Sequence, residues 1–150
     1  MMRNTTLFEK GLSSFINVVF VSIFFLPFLF IDIPFLIKKF IFIFLFLLYK
    51  LILIYFLENK SIGMILIGSY WKENYPLKNQ FIHAVFYTIS FSTLLFWIYF
   101  PFDLFLFNML FIQIPMILYK GTTMHGYLAG KMVTVKKPNN ENKNTKAYSI

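Results

Sequence analysis

The chain alternates long apolar runs with short polar connections. The runs cover residues 11–31, 40–57, 81–100 and 104–119. As a helix rising ~1.5 Å per residue, the first run is about 31 Å long, which matches a hydrocarbon core of ~30 Å. The run Phe40–Tyr49 has none of the apolar–polar alternation of an outer-membrane strand. The pattern therefore predicts an all-α membrane protein, a bundle of about four transmembrane helices.

The polar connection over residues 61–80 is the longest of the connections. Its apolar part, Met64–Ile67, is too short to cross a bilayer, so we expect a short interfacial segment between the second and third helices. Residues 1–137 are predicted to form one membrane domain. Residues 138–150 are polar and basic without apolar periodicity, which predicts a disordered tail.

Composition supports the membrane interpretation. Hydrophobic residues make up 59% of the chain and charged residues 13%, whereas soluble domains carry about a quarter charged residues. Too few charges are present to cover a water-facing surface. The chain contains no cysteine, which excludes disulfides and thiolate metal sites.

The formal net charge is +8, and the basic residues cluster between and after the apolar runs. This placement favours anionic lipid headgroups over nucleic acid as the partner. With four spans both termini lie on one side, and nine Lys or Arg fall on that side against Lys38 and Lys39 on the other. The asymmetry predicts that both termini of this multi-pass protein are cytoplasmic. The nine are Arg3, Lys10, Lys60, Lys72, Lys78, Lys120, Lys131, Lys136 and Lys137.

Several polar residues interrupt the predicted spans. A charge such as Lys50 at the bilayer centre costs at least ~2.5–3.5 kcal/mol. It therefore marks a polar pathway, a side chain that snorkels to the headgroups, or a purely structural pair. Lys10, Ser14 and Asn17 share one helical stripe, which serves helix packing or a transport path. The candidates for a polar interior are Lys10, Asn17, Lys50, Asn108 and Gln113.

Asn17 and Lys50 lie at similar depths on helices joined by a short turn, so these helices are expected to pack as antiparallel neighbours. The spacing predicts a contact in which the Asn17 carbonyl oxygen accepts a hydrogen bond from the Lys50 ammonium.

Ala84, Thr88 and Ser92 form a small-residue stripe that predicts close helix packing, with a cavity lining as the alternative. His83 and His125 have no carboxylate at helical spacing, and a metal site needs three or four ligands. No metal or cofactor is therefore expected. The chain also has no Ser/His/Asp order and no paired intramembrane carboxylates, so it is not predicted to be an enzyme.

Two segments resemble the RDD family of membrane proteins. Lys60–Gly68 is similar to that family's Gly-x-Thr-x-Gly-Lys-x-Leu-x-Gly stretch, and Thr123–Val133 is similar to its closing Thr-Leu-His-Asp-x-Leu-Ala-Gly-Thr-x-Val motif. The closing motif is the more specific, and the resemblance covers about residues 10–136. The positions of the closing motif in this chain are Thr123, His125, Gly126, Ala129 and Gly130.

The resemblance implies a small inner-membrane protein linked to transport of ions or other ligands. The Arg and both Asp that name the family are replaced, by Lys10, Asn17 and Gly126. Asn and Gly cannot titrate, so the fold carries over better than the function. Within the closing motif, His125 is expected to donate to the free carbonyls at the end of the last helix.

Two function hypotheses follow. The first is transport of ions or small solutes, or a role accessory to a transporter, and it predicts a hydrated polar interior. The second is a structural or assembly partner of another membrane protein, and it predicts a dry interior with an exposed small-residue stripe. Self-association and a membrane-protein partner are both open.

The predicted topology can be tested with reporter fusions that are active only outside the cytoplasm. Fusions after residues 37 and 102 should be active, and fusions after residues 75 and 135 should be inactive, because of the nine-to-two distribution of basic residues. The opposite pattern would reverse the orientation.

Overall fold

A computed structural model describes residues 2–92 and 107–137, with the side chain of Ser92 excepted. The described part is mostly helical. Its helices are α1 (Leu7–Leu29), α2 (Phe35–Phe56), α3 (Ile62–Leu66), α4 (Leu77–Ser92), a π-helix (Asn108–Gln113), α5 (Ile114–Lys120) and α6 (Met124–Leu128). Its strands are β1 (Arg3–Asn4), β2 (Ser69–Trp71) and β3 (Thr134–Lys136).

Helix α1 begins at a capping box. Thr6 Oγ1 accepts from the Glu9 backbone N–H at 3.3 Å, and Glu9 Oε2 accepts from the Thr6 N–H at 2.9 Å. The box satisfies two of the donors that a helix N-terminus leaves free, so the helix starts before residue 11, where the apolar run begins. Arg3 forms a bidentate ion pair with Glu9, with distances of 2.9 and 2.6 Å. This pair connects β1 to the first turn of α1.

Helices α1 and α2 are long and apolar enough to cross a membrane, and they are the only such helices among the described residues. Helix α2 starts after Pro34 and so includes Lys38 and Lys39. The third predicted span begins early, at Leu77, and its residues 93–100 lie outside the described part. Of the fourth, residues 104–106 lie outside, and the remainder is the π-helix followed by α5. The predicted tail, 138–150, also lies outside.

An aromatic core joins α1, α2 and α4. Phe46 is 1% exposed and lies with its ring centroid 5.8 Å from that of Tyr87, while Phe25 contacts Phe42 edge-on at 5.3 Å. Burial at intervals of three, four and seven residues on each helix gives one continuous inner face. The core consists of Val21, Phe25, Phe42, Phe46, Tyr49, Leu53, Tyr87 and Phe91.

A small antiparallel sheet in the order β1–β3–β2 caps one end of the bundle, and the sequence analysis did not predict it. Val135 of the central strand pairs with Asn4 on one side and with Tyr70 on the other, and it is 3% exposed. Strands of two or three residues are too short to show alternation, so periodicity cannot reveal them. The all-α expectation is therefore corrected to a helical bundle with a three-stranded cap.

The apolar part of the connection over residues 61–80 forms helix α3. Helix α3 packs directly on α1, and Gly63 and Met64 are buried there. Ser61 caps α3 by accepting from the Met64 N–H at 3.2 Å. A Cβ built on Gly63 would overlap the backbone carbonyl oxygen of Ser13. The close contact between α1 and α3 therefore requires a residue without a side chain at position 63.

We therefore expect Gly63→Ala to destabilise the protein by about 1–3 kcal/mol, the usual cost of an overpacked contact. Gly11→Ala is the matched control, because a Cβ at Gly11 meets nothing within 4 Å. It should be neutral or stabilising by up to about 1 kcal/mol through helix propensity. Chemical unfolding in detergent measures both, and equal effects would contradict the close approach.

Candidate functional site: a buried cationic cavity

A cavity of about 60 Å³ lies between the sheet and the inner faces of α1, α2 and α4. It is large enough for water or a small ion. The sheet contributes Ser69 and Thr134 at one side, together with Thr5, which directly follows β1. The helices contribute the polar residues described next. Among the lining residues in the described part of the chain, two are lysines, two are histidines and none is a carboxylic acid.

Asn17 is 2% exposed and uses both ends of its amide. Its Oδ1 accepts from Tyr49 Oη and from the Gly63 N–H, each at 2.9 Å. Its Nδ2 donates to Ser61 Oγ and to Tyr87 Oη, each at 3.1 Å. One side chain thus connects α1 to α2, α3, α4 and the α3 cap. Hydrogen bonds satisfy this amide fully inside an apolar bundle, where an unsatisfied group would be costly.

Lys50 is 1% exposed, and its ammonium points into the cavity rather than toward a membrane surface. Its Nζ lies 4.4 Å from the centroid of the Tyr87 ring, a cation–π contact. Among the described residues, no hydrogen-bond acceptor and no carboxylate pairs with this ammonium. Lys50 is therefore a buried cation that only an aromatic face compensates.

The expected hydrogen bond from Lys50 to Asn17 does not form. Tyr49 and Gly63 already occupy the Asn17 carbonyl oxygen, and Lys50 faces Tyr87 instead. The snorkelling interpretation of Lys50 is also wrong, because the side chain is enclosed by the bundle. Both side chains nevertheless line the same cavity, as equal depth on neighbouring helices predicts.

Two buried histidines complete the cavity wall. The rings of His83 and His125 lie 5.0 Å apart, and that of His125 lies 5.0 Å from Tyr87. Each Nδ1 is buried without a hydrogen-bond partner among the described residues. Burial, and then the nearby Lys50 and Lys10 cations, lower the pKa of His125 to about 3. His125 is therefore neutral near pH 7. Among the described residues, its ring donates no hydrogen bond to the carbonyls at a helix end, so the expected cap does not form.

The closing motif forms α6 and places His125. Thr123 caps this helix by accepting from the Gly126 N–H at 3.3 Å. A Cβ at Gly126 would lie 2.8 Å from the Met132 carbonyl oxygen, so the Asp found there in the RDD family does not fit this backbone. Ala129 is 1% exposed, and Gly130 has a φ of 93° that favours glycine.

Lys10 lines the cavity together with His125 and Thr123. Its Nζ donates to the Gly121 carbonyl oxygen at 2.5 Å and so connects α1 to the turn after α5. The remaining polar candidates form a separate network. Asn108 Nδ2 donates to Ser90 Oγ at 2.7 Å, and Gln113 Nε2 donates to the same oxygen at 3.1 Å. Asn108 and Gln113 therefore join the π-helix to α4 and do not line the cavity.

The small-residue stripe lies inside the bundle. Ala84 is 0% exposed and Thr88 is 3% exposed on α4, the helix that packs most extensively on α2. The side chain of Ser92 lies outside the described part. The stripe serves close packing within this chain.

Sequence reasoning missed the tyrosines and serines that complete the site. Tyr49 and Tyr87 had passed as apolar positions of their spans, yet their hydroxyls bind Asn17. Ser61 was treated as a loop residue. Tyr49 lies beside Lys50, and Tyr87 lies four residues after His83, so a search for polar atoms on the inner helical face could have found them.

Comparison with protein-family models, curated proteins and solved structures finds no match for this chain.

The Asn17 network predicts a contrast between two substitutions. Asn17→Leu should cost about 1–3 kcal/mol, because it leaves buried donors without an acceptor. Asn17→Asp should be tolerated better, since the Ser61 and Tyr87 hydroxyls can rotate to donate and the Lys50 ammonium is close. Ser22→Ala is the control, because Ser22 binds only a carbonyl of its own helix. Unfolding in detergent measures all three, and equal losses for Leu and Asp would contradict the network.

Proposed function

We propose that the protein is a multi-pass inner-membrane protein of RDD type that binds a small anion in the cavity, as the solute of a transport function. The observation that carries this proposal is the buried Lys50 ammonium, which faces a polar cavity without a carboxylate among the described residues. Lys10 is the second cation at this cavity.

Three features support the membrane location. Helices α1 and α2 have the length and apolarity of membrane spans. Their outer faces expose large apolar side chains, including Phe15 at 65%, Phe24 at 57% and Phe44 at 63%, which would associate in water. The sheet also joins the segments before α1, after α2 and after α5. Those three segments share one side in the four-span topology.

An anion is the ligand that best fits the charge of the cavity. A buried ammonium without a counter-charge is costly, and a bound anion would offset this cost by a charge-assisted hydrogen bond. The neutral imidazoles add N–H donors, because a neutral ring carries one donor and one acceptor. The hydroxyl of Ser13 also lines the cavity and can donate. A small cation would meet two like charges instead.

The assembly hypothesis predicted a dry interior and an exposed small-residue stripe. The stripe residues Ala84 and Thr88 are buried within this chain, and the interior holds a polar cavity. Both observations favour solute binding over a purely structural role.

Lys50→Met tests the proposal, because it keeps the length of the side chain and removes the charge. In an uncharged detergent, acetate or chloride should stabilise the wild type by about 2.7 kcal/mol at a hundredfold excess over Kd. Lys50→Met should be more stable than the wild type without anion and should lose this dependence. Lys120→Met, at an exposed lysine, is the matched control.

Gluconate at equal ionic strength controls for screening, since it is too large for the cavity. Equal stabilisation of the wild type and Lys50→Met by acetate, or equal effects of acetate and gluconate, would contradict an anion site at Lys50. Asn17→Asp should also weaken the acetate effect, because it places a carboxylate in the cavity wall.

A further inference from the structure

A second pocket, the α1–α5 groove, lies on the outside of the bundle next to the cavity. It has a volume of about 530 Å³, within the range of small-molecule sites. The apolar residues lining it include Leu7, Phe15 and Val18 of α1 and Ile114 and Ile117 of α5. In a bilayer, this groove would face the lipid.

The groove and the cavity meet at shared residues. Lys10, Ser14, Thr123 and His125 line both of them. Tyr87 Oη donates to Ser14 Oγ at 3.2 Å, and the Tyr87 ring carries the Lys50 ammonium on its face. The groove and the cavity are therefore adjacent, with Lys10 lining both and Lys50 on the cavity side.

We propose that the site takes a long-chain fatty carboxylate from the membrane, with the carboxylate in the cationic cavity and the chain in the α1–α5 groove. This inference deepens the proposed function and depends on it. An apolar groove that ends at a buried cation complements a molecule with one apolar chain and one anionic end.

The dimensions favour a single chain with a small head. From Leu7 to Val18 the groove follows α1 for about 17 Å at ~1.5 Å per residue, close to one leaflet of a ~30 Å hydrocarbon core. The cavity of about 60 Å³ accommodates a planar carboxylate, whereas a glycerophosphate headgroup is much larger. The groove itself adds little affinity, since lipid tails are as apolar as its walls. The charge contact should therefore carry the selectivity.

The test uses the full chain in nanodiscs of zwitterionic phosphatidylcholine. The probe is a long-chain fatty acid with a diazirine near its terminal methyl group, and its methyl ester is the uncharged comparison. After photolysis, mass spectrometry should find the label on peptides containing Phe15, Val18 and Ile117. The ester should label these peptides at least about tenfold less, because it lacks the charge-assisted contact.

Two pairs of variants separate the groove from the general lipid surface. Ile117→Trp and Val18→Trp should fill the groove and abolish the site-specific label. Leu118→Trp and Val19→Trp are their matched controls, since both residues are exposed neighbours that do not line the groove. Lys50→Met should reduce the acid label to the level of the ester.

The outcomes distinguish this inference from the proposed function. If acetate stabilises the protein through Lys50 but the fatty acid labels all faces equally, the fatty carboxylate is not the ligand, while the proposed anion site is retained. If acid and ester label the groove equally, the groove is an ordinary lipid contact and the inference fails. If neither acetate nor the fatty acid depends on Lys50, both proposals fall.

Discussion

The amide of Asn17 is the interaction on which the arrangement of this bundle depends. Helices with an apolar interior can pack in many rotations about their own axes, because dispersion contacts have little direction. Four hydrogen bonds around one side chain select a single rotation. Tyr49, Gly63, Ser61 and Tyr87 surround the amide from α2, α3 and α4. This arrangement fixes the rotation of α2 and so directs the next residue, Lys50, inward. The hydrogen bonds of the neutral Asn17 amide thus place the Lys50 cation in the cavity.

The amide at Asn17 is neutral, so it leaves the charge of the cavity to its lysines. An Asp at this position could accept the hydrogen bonds of Tyr49 and Gly63, whereas the Ser61 and Tyr87 hydroxyls would have to rotate and donate. It would also add a negative charge to the cavity that Lys50 lines. With Asn, the polar contacts are satisfied and the positive charge is left over. The same backbone could therefore hold a closed ion pair or an open cationic site, and one atom on one side chain decides between them. At Gly126 the backbone has no room for a side chain, so an acid is excluded there as well.

The sequence predicted the helices better than the site. Long apolar runs identify α1 and α2 because a bilayer-length helix needs little else, and only the ends moved, at the Thr6 capping box and at Pro34. That Asn17 and Lys50 line one cavity also followed from their similar depth on neighbouring helices. Their partners did not, because Tyr49 and Tyr87 count as apolar in any hydropathy pattern. The contacts of Lys10 with Gly121 and of Thr5 with Thr134 join positions more than a hundred residues apart, which no local pattern encodes.

The order of the sheet has a consequence for biosynthesis. Strand β3 lies between β1 and β2, so the first two strands have no partner until residues 134–136 have been made. Until then, Thr5 and Ser69, which form one wall of the cavity, have no sheet to hold them. The helices can pack against one another earlier, yet the cavity wall is complete only once β3 has joined the sheet. A chain truncated before β3 would therefore expose Lys50 to water.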